Sequence, residues 1–252
     1  IAIGATENNS GHVRIYQNVN NTWTKIGDDI DGEDNGDRSG ISVSLSADGS
    51  VIAIGATSND GNGFALWSGH VRIYQNVKNT WTQIGDDIDG ETSMDFSGGS
   101  VSLSADGSVV AIGATRNDGN GEDSGHVRIY QYVNNTWTKI GEDIYGEAAE
   151  DNSGYSVSLS ADGSVVAIGA TGNDGNGDNS GHVRVFQTGV SIGPFQNPNT
   201  GDATFSINGT AAVGNTLSIN EDSADPDGTG TLTYSWQTSN DGNTWTEVGK
   251  ES

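Results

Sequence analysis

Hydrophobic and polar positions along the chain follow the two-residue period of strands. In residues 41–45, Ile, Val and Leu alternate with serine, so one face of an extended segment is apolar and the other polar. Ala47-Asp48-Gly49-Ser50 comes next, and Asp-Gly between two apolar runs predicts a hairpin, because both residues tolerate positive φ. Residues 51–56 are almost unbroken in small and β-branched side chains, which suits a strand buried on both faces. Residues 71–75 form a third strand and residues 80–84 a fourth, joined by a loop containing Lys78-Asn79. No segment carries the period of an amphipathic helix.

This four-strand unit recurs. The string GHVRIYQ occupies residues 11–17, 69–75 and 125–131 and returns as GHVRVFQ at 181–187, at spacings of 58, 56 and 56 residues. SVSLSADGSV begins at Ser42, Ser100 and Ser156, NTWT at Asn21, Asn79 and Asn135, and AIGAT ends at Thr6, Thr57, Thr115 and Thr171. A lone four-stranded sheet cannot hide its apolar faces, so tandem copies of this length predict radially arranged blades that cover one another. The expected fold is all-β, a β-propeller of four-stranded blades. Residues 1–190 hold three strands of a first blade, two whole blades (about 38–90 and 96–147) and three strands of a fourth, about 3.5 blades where closure typically takes about 4 to 8. Ile1 already lies within a strand repeat, so a longer parent polypeptide is expected.

The repeats resemble the FG-GAP repeats of integrin α-type β-propellers and their bacterial and algal relatives. The resemblance spans about residues 1–187. It rests on Ser39-Gly40 and Ser153-Gly154 where that family has Phe-Gly, on the SVSLSADG that follows, on Gly55-Ala56-Thr57 and its copies where the family has Gly-Ala-Pro, and on the Gly-x-Val-x-Ile/Val-Tyr/Phe third strand. It implies a propeller that displays binding loops. The family places calcium in a long acidic loop between its first and second strands, whereas here that loop is only Ala47-Asp48-Gly49-Ser50, so those ligands do not carry over.

After Gln187 the pattern breaks. Residues 191–200, with Pro194 and Pro198, read as a linker, and a second module is expected over 201–252. Its strands are expected near 204–207, 216–219, 231–237 and 244–248, with turns at Asp227-Gly228 and Asp241-Gly242. Residues 224–249 resemble the Ig-like or cadherin-like repeats of large bacterial surface adhesins, which implies a β-sandwich. Such a sandwich takes about seven strands, so this segment is expected to be truncated.

Charge narrows the partners. The chain carries 34 Asp and Glu against 10 Lys and Arg, a formal charge of −24, and such a surface repels nucleic acid and anionic lipid. No apolar run approaches the roughly 18 residues of a spanning helix, so membrane insertion is not expected. The absence of cysteine excludes disulfides, thiolate metal sites and a cysteine nucleophile.

The chemistry that remains lies in oxygen and imidazole groups. Asp118, Asn120 and Glu122, and again Asp174, Asn176 and Asp178, place oxygen side chains at every second position, like the opening half of an EF-hand loop; calcium is the ion this spacing suits. A plain turn-rich loop is the alternative. The related residues 60–64 lack the third acid. A second acidic set, Asp29, Asp31 and Glu33 with Asp87, Asp89 and Glu91, changes to Asp143, Tyr145 and Glu147 in the third copy. His12, His70, His126 and His182 each stand two residues before an arginine (Arg14, Arg72, Arg128, Arg184), on the same strand face. They offer a cationic ring or a catalytic base, or, in keeping with their copying into every blade, pairs that bond acidic and backbone groups between blades. Trp23, Trp81 and Trp137 recur on the outermost strand, where blade-edge packing is expected ahead of sugar stacking. Trp67 sits in an unrepeated apolar insertion, residues 64–67, and is the candidate ligand-binding residue.

No nucleophile elbow, phosphate loop or HExxH motif occurs, and catalysis is not expected. The sequence reads as a non-catalytic adhesion or binding module of a larger extracellular or cell-surface repeat protein, stabilised by calcium, with a protein or carbohydrate ligand at its loops and further repeats or chains as assembly partners. A carbohydrate-active propeller enzyme or its accessory module, and a subunit of an extracellular filament, are the alternatives.

Overall fold

The computed structural model describes residues 1–190 apart from Asn8 and 62–65, together with the backbone of four strands further on. The chain divides into two compact units, residues 1–195 and 196–252. Among the described residues of the first unit every element is a strand, arranged in four antiparallel sheets of three to five strands. The first sheet holds β1 (Ala2–Ala5), β2 (His12–Val19), β3 (Thr22–Lys25) and β4 (Ile30–Asp31). The second holds β5 (Ser42–Leu45), β6 (Val51–Ala56), β7 (His70–Val77), β8 (Thr80–Gln83) and β9 (Ile88–Asp89). The third runs β10 (Ser97–Leu103), β11 (Val109–Ala114), β12 (His126–Val133) and β13 (Thr136–Tyr145). The fourth runs β14 (Ser153–Leu159), β15 (Val165–Ala170) and β16 (His182–Gln187).

Each sheet is a meander because its turns are encoded locally. Consecutive positive φ at Asn20 and Asn21, Lys78 and Asn79, and Asn134 and Asn135 makes the two-residue hairpin between third and fourth strands. In the SADGS turn, Asp48 Oδ1 accepts from the hydroxyls of Ser46 (2.7 Å) and Ser50 (2.8 Å) and from the Ser50 N–H (2.9 Å), and Asp106 and Asp162 repeat the pattern.

The core lies between sheets rather than within them. Along β6, Val51 and Ala53 join Leu103, Val110, Ile112 and Trp137 of the third sheet, while Ile52 and Ile54 join Val13, Ile15 and Ile30 of the first. Along β11, Val110 and Ile112 face back and Val109 and Ala111 face forward to Val166 and Ile168. Successive side chains thus belong to different interfaces, which is why the second strand reads as continuously apolar. On the fourth sheet, against which no further described sheet of this unit packs, the same positions are open: Val183 is 67 % exposed, Val127 one blade earlier 0 %.

Hydrogen bonds also run from blade to blade at one-repeat offsets. Ala47 N–H donates to Ala105 O (2.8 Å) and Ala105 N–H to Ala161 O (2.7 Å); Leu103 N–H donates to Ser44 Oγ and Leu159 N–H to Ser102 Oγ. On the outer strand the indole of Trp81 donates to Ile26 O and that of Trp137 to Ile84 O, both at 2.9 Å. The fourth strand expected at 80–84 is β8, and beyond it a further two-residue strand, β9, pairs with β7, as β4 beyond β3 pairs with β2; in the gap between the two pieces Gly85 and Gly27 lie under the indoles of Trp137 and Trp81. In the third sheet nothing lies within 4 Å of a Cβ built on Gly141, and β13 runs unbroken through it.

The second unit contains two antiparallel pairs, β17 (Thr204–Asn208) with β18 (Ser218–Ser223) and β19 (Tyr234–Thr238) with β20 (Thr246–Glu251). The expected linker at 191–200 lies outside the described residues, as do the expected turns at Asp227-Gly228 and Asp241-Gly242.

Candidate functional site

At each junction between sheets, the loop leaving a second strand meets the loop entering the next sheet, and a buried carboxylate in that entering loop ties it to the loop leaving the second strand of the sheet it enters. Asp37, Asp95 and Asp151 accept from the side-chain amides of Asn59, Asn117 and Asn173, each 22 residues on, and from loop backbone at Asp34, Thr92 and Glu147. Sequence reasoning passed over this pair, although Asp and Asn recur at the common spacing; a buried Asp–Asn bond looks in sequence like any loop residue pair.

The frame so fixed repeats its backbone and varies its side chains. Phe96 N–H donates to Trp67 O (3.3 Å), as Asn152 N–H does to Asp123 O (3.1 Å); Met94 N–H donates to Leu66 O (2.9 Å), as Glu150 N–H does to Glu122 O (2.7 Å). Trp67, Met94 and Phe96 all have positive φ, as do Asp123, Glu150 and Asn152 at the matching places and Asn9, Gly36 and Arg38 in the first copy. One copy is therefore apolar where another is acidic and another polar or basic. Trp67 is 49 % exposed, with Leu66 and Met94 exposed beside it. Its ring stacks on Phe96 (centroids 6.3 Å apart, planes at 18°), and the Arg116 guanidinium lies 5.1 Å from the other ring's centroid. Three large residues held at positive φ are an uncommon local strain, fixed here by the surrounding loop bonds.

The oxygen-rich loops serve partly to fold themselves. Asp118 Oδ1 accepts from Asp123 N–H at 2.9 Å and Asp174 Oδ1 from Asn179 N–H at 2.6 Å. The Asn120 amide donates to Gly146 O (2.8 Å) and Glu147 O (3.0 Å) across the junction, while Asn176 bonds Ser180 Oγ through its backbone N–H and Asp178 accepts from the Asn179 side chain. Glu122 contributes its carbonyl to Glu150. Of the related loop, residues 62–64 lie outside the described residues.

The third-strand pairs meet acidic groups of their own blade and acidic and backbone groups of the preceding one. Arg72 Nη2 donates to Asp31 O (2.7 Å), Arg128 Nη2 to Asp89 O (2.9 Å) and Arg184 Nη2 to Tyr145 O. Their Nη1 atoms approach Glu33, Glu91 and Glu147 at 3.7, 3.3 and 3.8 Å. His70 Nδ1 lies 3.8 Å from Glu33 Oε2 and 3.7 Å from Asp87 Oδ2, and His126 Nδ1 lies 3.9 Å from Asp143 Oδ2. Burial, then the neighbouring Arg72 and Arg128 charges, bring His70 and His126 down to about 4 against the pull of Asp87 and Asp143, so both are neutral imidazoles near pH 7. Burial raises Glu33 against the Arg72 charge, with Asp87, Asp37 and Asp34 adding to the rise. Among the described residues, the groups in which three His or acidic side chains bring ligand atoms within 4.8 Å are Glu33–His70–Asp87 and Glu91–His126–Asp143. Sequence reading had the members of these sets in separate motifs; the blade stacking unites them.

Comparison with known proteins agrees with the repeat. Residues 146–186 match the family model described as FG-GAP repeat. No sequence among curated proteins matches the chain. Among solved structures, similarity extends to a candidate 6-phosphogluconolactonase from Bacteroides uniformis (13 % identity, TM-score 0.48, covering 71 % of this chain and 46 % of that one). It extends also to hydrazine synthase of Kuenenia stuttgartiensis (11 %, 0.45, covering 70 % and 40 %) and to the periplasmic gluconolactonase of Pseudomonas aeruginosa (15 %, 0.44, covering 74 % and 49 %). The chain spans less than half the length of each.

Proposed function

We propose that this chain is a non-catalytic recognition module of an extracellular or cell-surface repeat protein, in which FG-GAP-like blades belong to a closed propeller and present differing loop tips at the sheet junctions. An Ig-like β-sandwich over 201–252 completes the proposed arrangement. One observation carries the reading: the junction backbone at Trp67, Met94 and Phe96 is repeated at Asp123, Glu150 and Asn152, yet the side chains it displays change from apolar to acidic. A scaffold that holds geometry constant while varying surface chemistry suits recognition. The Leu66–Trp67–Met94–Phe96 patch with Arg116 has the aromatic, Met and Arg composition of a protein-contact core, so a protein surface is the proposed ligand, with carbohydrate the alternative through Trp67 alone. Calcium in the loops of Asp118, Asn120 and Glu122 and of Asp174, Asn176 and Asp178 is proposed to offset carboxylate repulsion there.

Beads coated with the chain test this reading in adhesion to surfaces bearing extracellular proteins or glycans. The double variant Trp67→Ser, Met94→Ser should lose attachment while Glu122→Ser, Glu150→Ser keeps it. Equal attachment by both variants would refute the patch as the contact, and loss on glycan surfaces only would move the assignment to carbohydrate.

A further inference from the structure

The two His–acid groups occupy equivalent junctions but differ in charge, and the difference isolates one of them. In the third sheet Lys139 Nζ binds Asp143 Oδ1 at 2.7 Å, and Lys25 binds Asp29 in the same way in the first. In the second sheet the matching residue is Gln83, whose amide donates to Asp87 Oδ1 at 2.6 Å and brings no charge. Where the third sheet has Tyr145, with its ring 5.9 Å from His126 and its hydroxyl 3.3 Å from Asp143 Oδ2, the second has Asp89. Both changes make the Glu33–His70–Asp87 group more negative than its copy. Glu91 and Asp143 face Arg128 and Lys139, whereas Glu33 and Asp87 face Arg72 and share a cleft of about 590 Å³ with Asp86 and Asp89.

His70 supplies an independent indication. Like His126 it is 1 % exposed with no hydrogen-bond partner at Nδ1, but the His70 nitrogen lies within 4 Å of two carboxylates, Glu33 Oε2 and Asp87 Oδ2, where that of His126 meets Asp143. Arg72 engages the other oxygen of Glu33 and Gln83 the other oxygen of Asp87, so the two oxygens facing His70 are the ones left over. A buried polar atom without a partner calls for an explanation, and an imidazole nitrogen between two carboxylates is a ligand set.

We propose that Glu33, His70 and Asp87 bind one divalent transition-metal ion of the zinc class, clamping the first blade to the second. Zinc bonds of about 2.0–2.2 Å to N and O in a tetrahedron put ligand atoms about 3.4 Å apart, so the His70 separations of 3.8 and 3.7 Å need to close by only a few tenths of an ångström, and all three ligand atoms already lie within 4.8 Å of one another. The imidazole nitrogen selects zinc over calcium, which takes oxygen ligands. A water from the cleft completes the set. This site is separate from the calcium loops and from the recognition patch and stands without either.

The test is titration of the full chain with Zn2+, and with Co2+ as a spectroscopic probe, in saturating Ca2+. One equivalent should bind, raise the melting temperature and give a Co2+ ligand-field band. Gln83→Lys, which restores the residue of the sister blades and should fold, is expected to weaken Zn2+ binding by roughly 100-fold, the upper range for outer contacts of metal ligands. His70→Asn should abolish it, and His182→Asn should leave it intact. The double variant Lys139→Gln, Tyr145→Asp should install a second equivalent. Absence of Zn2+ binding by the parent chain, or binding unchanged in both Gln83→Lys and His70→Asn, would overturn the proposal.

Discussion

Gly55 lies so close to the carbonyl oxygen of Gly98 in the next blade that a Cβ on it would overlap that oxygen; Gly113 stands against Gly154 in the same way. The contact exists because Gly98, at φ +84, turns its carbonyl toward the preceding sheet, where it also accepts from Ser42 Oγ at 2.7 Å. Positive φ at Gly98 and a missing side chain at Gly55 are two halves of one blade-to-blade contact.

The first prediction follows from it. Gly113→Ala must push the third and fourth blades apart or displace the Gly154 backbone, and should destabilise the protein by about 1–3 kcal/mol or more, the usual cost of overpacking. Gly141→Ala, with open space around it, tests the alternative that helix- or strand-forming glycine changes alone are harmful; its φ of +67 carries strain but no clash. Urea unfolding should rank Gly113→Ala as the more damaging.

Trp137 and Trp23 occupy the same sequence position but not the same environment. Trp137 is 8 % exposed and donates to Ile84 O, whereas Trp23 is 56 % exposed. Trp137→Phe should cost about 1–3 kcal/mol through the buried carbonyl it leaves unpaired, and Trp23→Phe should fall within about 0.5 kcal/mol of the parent chain. Chemical denaturation of the two variants checks the contrast.

Ile112 faces Val51 and Ala53 across the junction between the second and third sheets and is 1 % exposed. Ile112→Ala should cost about 2–5 kcal/mol, while Ile112→Val should cost about 0.5–1.5 kcal/mol. Similar losses in both variants would mean that this interface is not close-packed.

Stability should fall in two stages on acidification. His126 is held at about 4 in the fold against 6.5 ordinarily, so the unfolded chain binds the extra proton and stability declines as the pH drops from about 6.5 to 4. Asp162, held at about 2 against 3.8 by the Ser160 hydroxyl and the Ser164 amide and hydroxyl, adds a second decline between those values. His126→Gln should shrink the first stage, which His70, also held at about 4, shares, and leave the second, as read from melting temperatures between pH 2 and 8.

Calcium in the acidic loops gives a further expected outcome. Millimolar Ca2+ should raise the melting temperature of the chain and chelation should lower it, with Asp174→Asn reducing the increment. Melting curves that superpose with and without Ca2+ would remove calcium from the loops.

The strands, their order and their turns were legible in the sequence because each is set by local rules. Alternation in residues 41–45, β-branched continuity in Val51–Ala56 and the Asp-Gly turn each act over a few residues, and their recurrence named the blade. The short strand β9 beyond the fourth strand was not legible, since the gap before it holds Gly85 under the Trp137 indole of another blade. Trp67 stood out by composition, but its partners Met94 and Phe96, some thirty residues on, did not; the loop bonds across a junction bring them together.

The sequence by itself determined the repeat, the all-β character and the acidic surface. Tertiary structure alone decided which acid meets which histidine. Glu33 comes from one blade and His70 and Asp87 from the next, and strand periodicity says which face a residue takes but not which face it will be pressed against. That choice is made by burial of the apolar faces between sheets, which fixes the stacking register and, with it, every polar contact at the junction.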